Sequence, residues 1–144
     1  MKRTAYIFLL LVLLIVISAC SATANDQAVT SVIDGLKAQG FTVDIDKVDK
    51  SILKGDRTWL TLNGEGNISI YLYRNNAQME KDAANLDAGG TTYKDGLNEM
   101  KISWVSLPHF YKKDNIIVNY VGEDKTIIDV LETIVGPQFA GYSE

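Results

Sequence analysis

The chain has 144 residues, a formal net charge of −4, two prolines and one cysteine. A single cysteine excludes a disulfide framework, and a hydrophobic content of 47% excludes an intrinsically disordered chain. An acidic chain also lacks the basic face that phosphate contacts require, so we expect no nucleic-acid partner.

The N-terminus has the three-part pattern of an export signal. Lys2 and Arg3 precede an unbroken apolar run of thirteen residues, 5–17, which suits a signal peptide and falls short of the roughly 20 residues that span a bilayer. The run ends in Ile17-Ser18-Ala19-Cys20, which resembles the lipobox of bacterial lipoproteins. The resemblance implies that Cys20 takes a diacylglyceryl group through a thioether and that a peptidase cuts before it. The alternative is an uncleaved membrane anchor with an incidental cysteine.

The lipoprotein interpretation divides the chain into three parts. We predict a signal peptide at 1–19, the lipidated Cys20 with a short polar tether up to residue 27, and a single domain at 28–144. Cleavage leaves 144 − 19 = 125 residues, with 14 − 2 = 12 basic against 18 acidic side chains, a net charge near −6. Such a charge makes a polybasic grip on anionic lipid unexpected, so two acyl chains would hold the domain at the membrane.

Apolar periodicity predicts the first half of the domain. Residues 27–39 carry the helical stripe Val29, Val32, Ile33 and Leu36, which Gly40 ends. Residues 41–46 alternate as a strand. A hairpin follows, with arms 58–62 and 68–73 around a turn-forming cluster.

Apolar periodicity and capping residues predict the elements of the second half. Asn75 or Asn76 caps a helix that runs through Leu86 to Gly89-Gly90, and 100–105 alternates as a strand. A hairpin then turns at 112–115, with 116–121 as its second arm. Asp124 caps a final helix with an apolar stripe, which Gly136-Pro137 stops. The predicted fold is α+β, an antiparallel or mixed sheet of about five strands with three packed helices in the order αβββαββα.

The residue pattern gives no sign of catalysis or of a bound metal. The only histidine, His109, has neither a nucleophile motif nor a second histidine near it, so we expect no catalytic residues, no cofactor and no metal. Asp44, Asp46 and Asp49 fail the spacing of a calcium loop, because Val48 and Gly55 stand where ligands are needed. A solvated strand face explains these aspartates better.

Two aromatic groups are the candidate binding residues. On the first hairpin, Trp59, Tyr71 and Tyr73 share one face, which is core if a helix covers it and a recognition patch if none does. We expect the hairpin 107–121 to present a positively charged tip to a partner, unless its lysines only keep the turn soluble. Its candidate residues are His109, Phe110, Tyr111, Lys112 and Lys113.

The mature part is similar to small uncharacterised lipoproteins of Gram-positive bacteria. The stretches that carry the similarity are 68–73, 79–83, 102–113 and 115–122. The resemblance implies placement on the outer face of the cytoplasmic membrane and no assigned activity. We therefore expect a non-enzymatic binding module with an envelope protein as a possible partner. The alternatives are an inhibitor or immunity-type lipoprotein, whose acidic surface would suit a basic target, and a hydrolase.

Overall fold

The computed structural model describes residues 23–48 and 50–143; the predicted signal peptide and Cys20 lie outside them. The described residues form three helices and eight strands. In chain order these are α1 (Thr23–Ala38), β1 (Val43–Lys47), β2 (Asp56–Leu62), β3 (Gly66–Leu72), α2 (Asn76–Ala83), β4 (Thr92–Asp95), β5 (Asn98–Lys101), β6 (Pro108–Lys113), β7 (Ile116–Val121), α3 (Lys125–Ile134) and β8 (Gln138–Gly141).

Six of the strands make one antiparallel sheet in the order β1-β2-β3-β7-β6-β8, and β4 pairs with β5 in a separate hairpin. α1 and α3 cover one side of the sheet, which we call the helical face. α2, Leu53, the β4–β5 hairpin and the residues that follow it cover the other side, which we call the loop face. Each face has its own buried apolar cluster, so the domain has three layers.

The helical face follows directly from apolar periodicity. Val32 and Leu36 of α1 and Leu131 of α3 are buried against the alternate residues of β2 and β3. Gly35 permits the two helices to approach, because a Cβ there would lie 2.5 Å from Ile134 Cγ2. Each CH₂ group removed from water contributes about 0.8 kcal/mol, so this cluster is a main source of stability.

The prediction of an α+β domain with three helices on a largely antiparallel sheet is confirmed. The caps are also confirmed: Asn75 Oδ1 accepts from the Gln78 amide at 3.0 Å, and Asp124 Oδ1 accepts from the Thr126 amide at 2.8 Å. Both contacts satisfy amides that have no partner within the helix. The two predicted hairpins are present as β2–β3 and β6–β7.

Several boundaries and the strand count were wrong. α1 begins at Thr23, so the described part of the predicted tether is helical. α2 ends at Ala83, and just beyond it the Asn85 carbonyl accepts a hydrogen bond from the Lys94 amide, which a longer helix would not allow. Residues 102–105 are not a strand, although 98–101 form β5. The six-stranded sheet gains β8, which was not predicted, and β4–β5 forms a second sheet.

The sheet has two ends, which differ in what they carry. Near its start, α1 faces the segment 47–58 through Val29 and Thr30. After the helix ends, the Thr42 amide donates to Asn63 Oδ1 in the β2–β3 turn. We call the end with segment 47–58, the residues after β3 and the β6–β7 turn the entry end. The opposite end, with the β2–β3 turn and residues 121–125, is the far end.

Candidate functional site

A cleft of about 480 Å³ opens between α3 and the sheet edge formed by β6 and β8. It lies on the side of the molecule opposite β1. Residues from β6, α3 and β8 and the segments beside them supply its walls, because β8 pairs with β6 directly after α3. The lining residues are Leu107, His109, Glu123, Lys125, Ile128, Asp129, Glu132, Gln138, Tyr142 and Ser143.

His109 forms the floor of the cleft and is only 4% exposed. Its Nδ1 lies 2.8 Å from Gln138 Oε1 and its Nε2 lies 3.1 Å from Gly122 O. Gln138 Nε2 donates to Tyr142 O at 2.7 Å, which leaves the amide oxygen turned toward the ring. Both neighbours of the ring are therefore acceptors. A singly protonated ring donates to one of them, whereas a ring with protons on both nitrogens donates to both.

Carboxylates dominate the rim of the cleft. Glu123, Asp129 and Glu132 are all exposed, and Asp129 pairs with Lys125 at 2.6 Å. Three acids against one lysine give the cleft a negative potential, which favours a cationic group in a concave site. The arrangement can bind and orient a cation through oxygen acceptors.

Tyr111 lies near these carboxylates, buried in the helical-face core. Burial, together with the charges of Glu132 and Asp129, raises the pKa of its hydroxyl. Among the described residues, that hydroxyl has no hydrogen-bond partner. A buried hydroxyl without a partner costs free energy, so it is a weak point in an otherwise apolar cluster.

The predicted exposed tip at 109–113 is wrong for its aromatic residues. His109 is buried, and Phe110 and Tyr111 are 1% and 0% exposed. The last two point to opposite sides of the sheet, Phe110 to the loop face and Tyr111 to the helical face. β8 pairs with this strand and helices or loops cover both its faces, so the strand is internal.

The two lysines of the same hairpin are tied to the fold. Lys112 Nζ contacts Glu80 at 2.5 Å, and Lys113 Nζ donates to Ile134 O at 2.8 Å. Lys113 thereby donates to one of the carbonyls at the C-terminal end of α3 that have no partner within the helix. Both contacts fit the simpler interpretation, in which the lysines serve the domain itself.

Of the first aromatic group, only Trp59 reaches the surface. Tyr71 and Tyr73 are buried in the loop-face core, which confirms the interpretation that the face is covered there. Trp59 is half-buried, with the Arg57 guanidinium 4.7 Å from its ring centroid. Arg57 also donates to Ser69 Oγ and to Lys50 O, so the cation is held in place over the ring. This contact is internal to the domain, and the three residues form no recognition patch.

A buried carboxylate organises the loop face. Asp82 is 3% exposed and accepts from Tyr73 Oη (2.7 Å), Tyr93 Oη (2.5 Å) and the Lys54 amide (2.7 Å). Burial and the hydrogen bond to Asp82 raise the pKa of Tyr93 to about 12, and they raise that of Tyr73 as well. Three donors compensate the desolvated charge, so the network ties segment 47–58 and β4 to α2.

A second groove, of about 810 Å³, lies at the entry end between α1 and the segment 47–58. Val29 and Thr30 form one wall, and Lys47, Lys54 and Arg57 contribute the cations of the other. Lys54 pairs with Asp95 of the β4–β5 hairpin at 2.6 Å. The groove is thus of opposite sign to the cleft.

Sequence reasoning singled out His109 but missed its partners. Gln138 and Tyr142 lie on β8 and just after it, a segment that ordinary periodicity leaves as a tail. The sequence pattern places Glu132 and Asp129 on the solvated side of α3, where charged residues are ordinary. The one available signal was Gly136-Pro137 followed by Phe139-Ala140, a stop followed by apolar residues.

Comparisons with known proteins leave the assignment open. The chain matches no protein-family model, and no curated protein or solved structure is significantly similar to it. The described residues contain no group of three or more His, Cys, Asp or Glu side chains placed to hold a metal ion. No helix in the described part of the chain is long and apolar enough to cross a membrane.

Proposed function

We propose that the chain is a lipoprotein of the outer face of the cytoplasmic membrane, in a Gram-positive type of cell envelope. Cys20 carries the lipid, and the signal peptide 1–19 is removed. The lipobox sequence supports this proposal, and the start of α1 only three residues after Cys20 fits a domain held close to its anchor.

The domain itself is a non-enzymatic binding module whose cleft receives a cationic group of an envelope partner. The observation that carries this function is the concave site with three carboxylates at its rim and His109 fixed at its base. Because the site replaces the predicted aromatic tip, the candidate binding residues move to α3 and β8. An acidic cleft also suits an inhibitor or immunity-type lipoprotein that covers a basic surface of an enzyme, which is the alternative function.

Anchoring is tested by Cys20→Ser. Serine has no thiol for the thioether, so we expect the variant to remain unprocessed or to be released from the membrane. Detergent phase partitioning, with the size of the protein read on a gel, measures this. A serine variant of mature size that enters the detergent phase like the wild type contradicts the proposal.

Binding is tested with a defined cationic probe, a dye-labelled tetralysine peptide, by fluorescence anisotropy at low salt. Removal of one rim charge in Glu132→Gln or Glu123→Gln should weaken binding by about two- to fivefold, a typical size for one charge contact in water. Asp44→Asn is the matched control, because it removes the same charge from exposed β1 at the opposite sheet edge. Equal losses in all three variants would reduce the site to a net-charge effect. A pull-down from envelope extracts with the mature protein, compared with Glu132→Gln, tests which natural partner binds at the cleft.

A further inference from the structure

We infer that the entry end is a membrane-contacting surface, which orients the domain on an anionic bilayer and leaves the cleft facing away from it. The inference rests on the proposed lipid anchor at Cys20 and goes beyond it, since an anchor alone fixes no orientation. We call the contact surface the basal face and define it by Lys47, Lys50, Lys54, Arg74 and Leu97.

The covalent chain brings this end close to the anchor. Three peptide units separate Cys20 from Thr23, so their Cα atoms are at most about 11 Å apart. Val29 follows Thr23 by six helical residues, about 9 Å of helix. Val29 lines the entry-end groove together with Lys47 and Lys54. These lysines therefore belong to the part of the domain nearest the lipid.

The two ends of the sheet carry opposite charge. Among the described residues, the basic ones at the entry end are Lys47, Lys50, Lys54, Arg57, Arg74 and Lys113, and the acidic ones are Asp56, Asp95 and Asp114. At the far end the acidic residues are Glu65, Glu123 and Asp124, and the basic ones are Lys37 and Lys125. An anionic membrane repels the far end and attracts the entry end. The net charge of the domain thus opposes membrane contact everywhere except at the basal face.

An apolar side chain completes the surface. Gly96-Leu97 is the two-residue loop between β4 and β5, with Gly96 at φ 63°, the left-handed conformation that glycine adopts without steric cost. Leu97 is 105% exposed, so nothing in the described domain covers it. The Lys54–Asp95 ion pair places this loop at the entry end, close to Lys54. An exposed leucine on a surface that also carries cations is the composition of an interfacial membrane contact.

The basal face is fixed in position by the loop-face network. The Lys54 amide donates to Asp82, and Tyr93 of β4 donates to the same carboxylate. The segment with the lysines and the hairpin with Leu97 are therefore tied to one buried group, so they present a common surface to the bilayer.

The experiment uses the mature lipoprotein reconstituted in phosphatidylcholine vesicles with and without phosphatidylglycerol. The only natural cysteine is Cys20, so Leu97→Cys supplies one free thiol for a polarity-sensitive dye when the anchor is in place. Val105→Cys is the matched control, because Val105 is 99% exposed and precedes Ser106, which contacts Glu123 at the far end. A spin-labelled lipid should quench the dye at 97 and not at 105, only in phosphatidylglycerol vesicles and less at high salt.

Charge removal measures the strength of the contact. Each basic residue at an anionic surface favours contact by about fivefold, so Lys47→Gln with Lys50→Gln should lower the equilibrium constant for contact at residue 97 by about 25-fold. Lys37→Gln with Lys101→Gln removes the same charge elsewhere and should leave it within about twofold. Mass spectrometry of the N-terminal peptide separates the two proposals. An unmodified Cys20 overturns both, whereas a lipidated protein with equal quenching at 97 and 105 overturns the orientation alone. The thiol at residue 97 can also be labelled in intact cells. If it is shielded from the label in cells but not in vesicles, a protein partner covers the basal face, which also overturns the proposed orientation.

Discussion

The two faces of the six-stranded sheet are covered in different ways. On the helical face, two amphipathic helices bury stripes of aliphatic residues, and Leu36 and Leu131 are both 0% exposed. On the loop face, one short helix, a hairpin and connecting segments cover the sheet, and a buried aspartate holds them together. The comparison shows that a sheet face can be closed by periodic apolar contact, or by an apolar cluster whose separate segments are held by a few specific polar contacts around a buried carboxylate.

The difference also decides what could be predicted. The stripes of α1 and α3 and the alternation of β2, β3 and β7 give the helical face directly, because burial on one side imposes a period on the sequence. Residues 98–101 are exposed on both sides, so β5 carries no such period. Ile102 and Trp104 alternate, but they pack as loop residues in the loop-face cluster.

The candidate site was the least predictable part. His109 stood out as the only histidine, yet its burial depends on β8, a strand of four residues after Gly136-Pro137. Its partners Gln138 and Gly122 come from segments on either side of α3. Sheet order brings these segments together, and no local pattern encodes that order.

The largest expected effect comes from a charge placed in the helical face. Leu131→Asp would bury an unpaired carboxylate, which costs several kcal/mol out of a total stability of about 5–15 kcal/mol. Ile128→Asp should cost distinctly less, because Ile128 is only partly buried and lines the cleft. Thermal melts of both variants measure the difference. If Leu131→Asp melts within a degree or two of the wild type, the packing of α3 on the sheet is wrong.

A smaller and opposite pair of effects should separate the faces at neutral pH. Tyr73→Phe removes a buried hydrogen bond to Asp82 and should destabilise the domain by about 1–2 kcal/mol. Tyr111→Phe removes a buried hydroxyl without a partner among the described residues and should be neutral or stabilising by up to about 1 kcal/mol. Both variants replace a buried tyrosine by phenylalanine, so each serves as the control for the other. Urea unfolding midpoints give the two signs, and equal destabilisation would refute the contrast.

The smallest expected effect is a change in the pH dependence of stability, which concerns Tyr93 and appears only at alkaline pH. Its pKa is raised from 10.0 to about 12 in the folded domain because of burial and the hydrogen bond to Asp82. Between these values the unfolded chain has released the tyrosine proton while the folded domain retains it, so the folded state binds more protons. The stability that this group contributes is fully present below pH 10 and is lost as the pH rises through about 12.

Tyr93→Phe has no such proton to release, so its stability should fall less steeply with pH over the same range. Tyr73, whose pKa is raised by the same carboxylate, keeps part of the slope in that variant. Urea unfolding at a series of alkaline pH values compares the two slopes, which removes the constant cost of the lost hydrogen bond. Parallel curves for the variant and the wild type would mean that the Asp82 network does not hold the Tyr93 proton. Asp82 would then hold the loop face together through Tyr73 and the Lys54 amide and not through Tyr93.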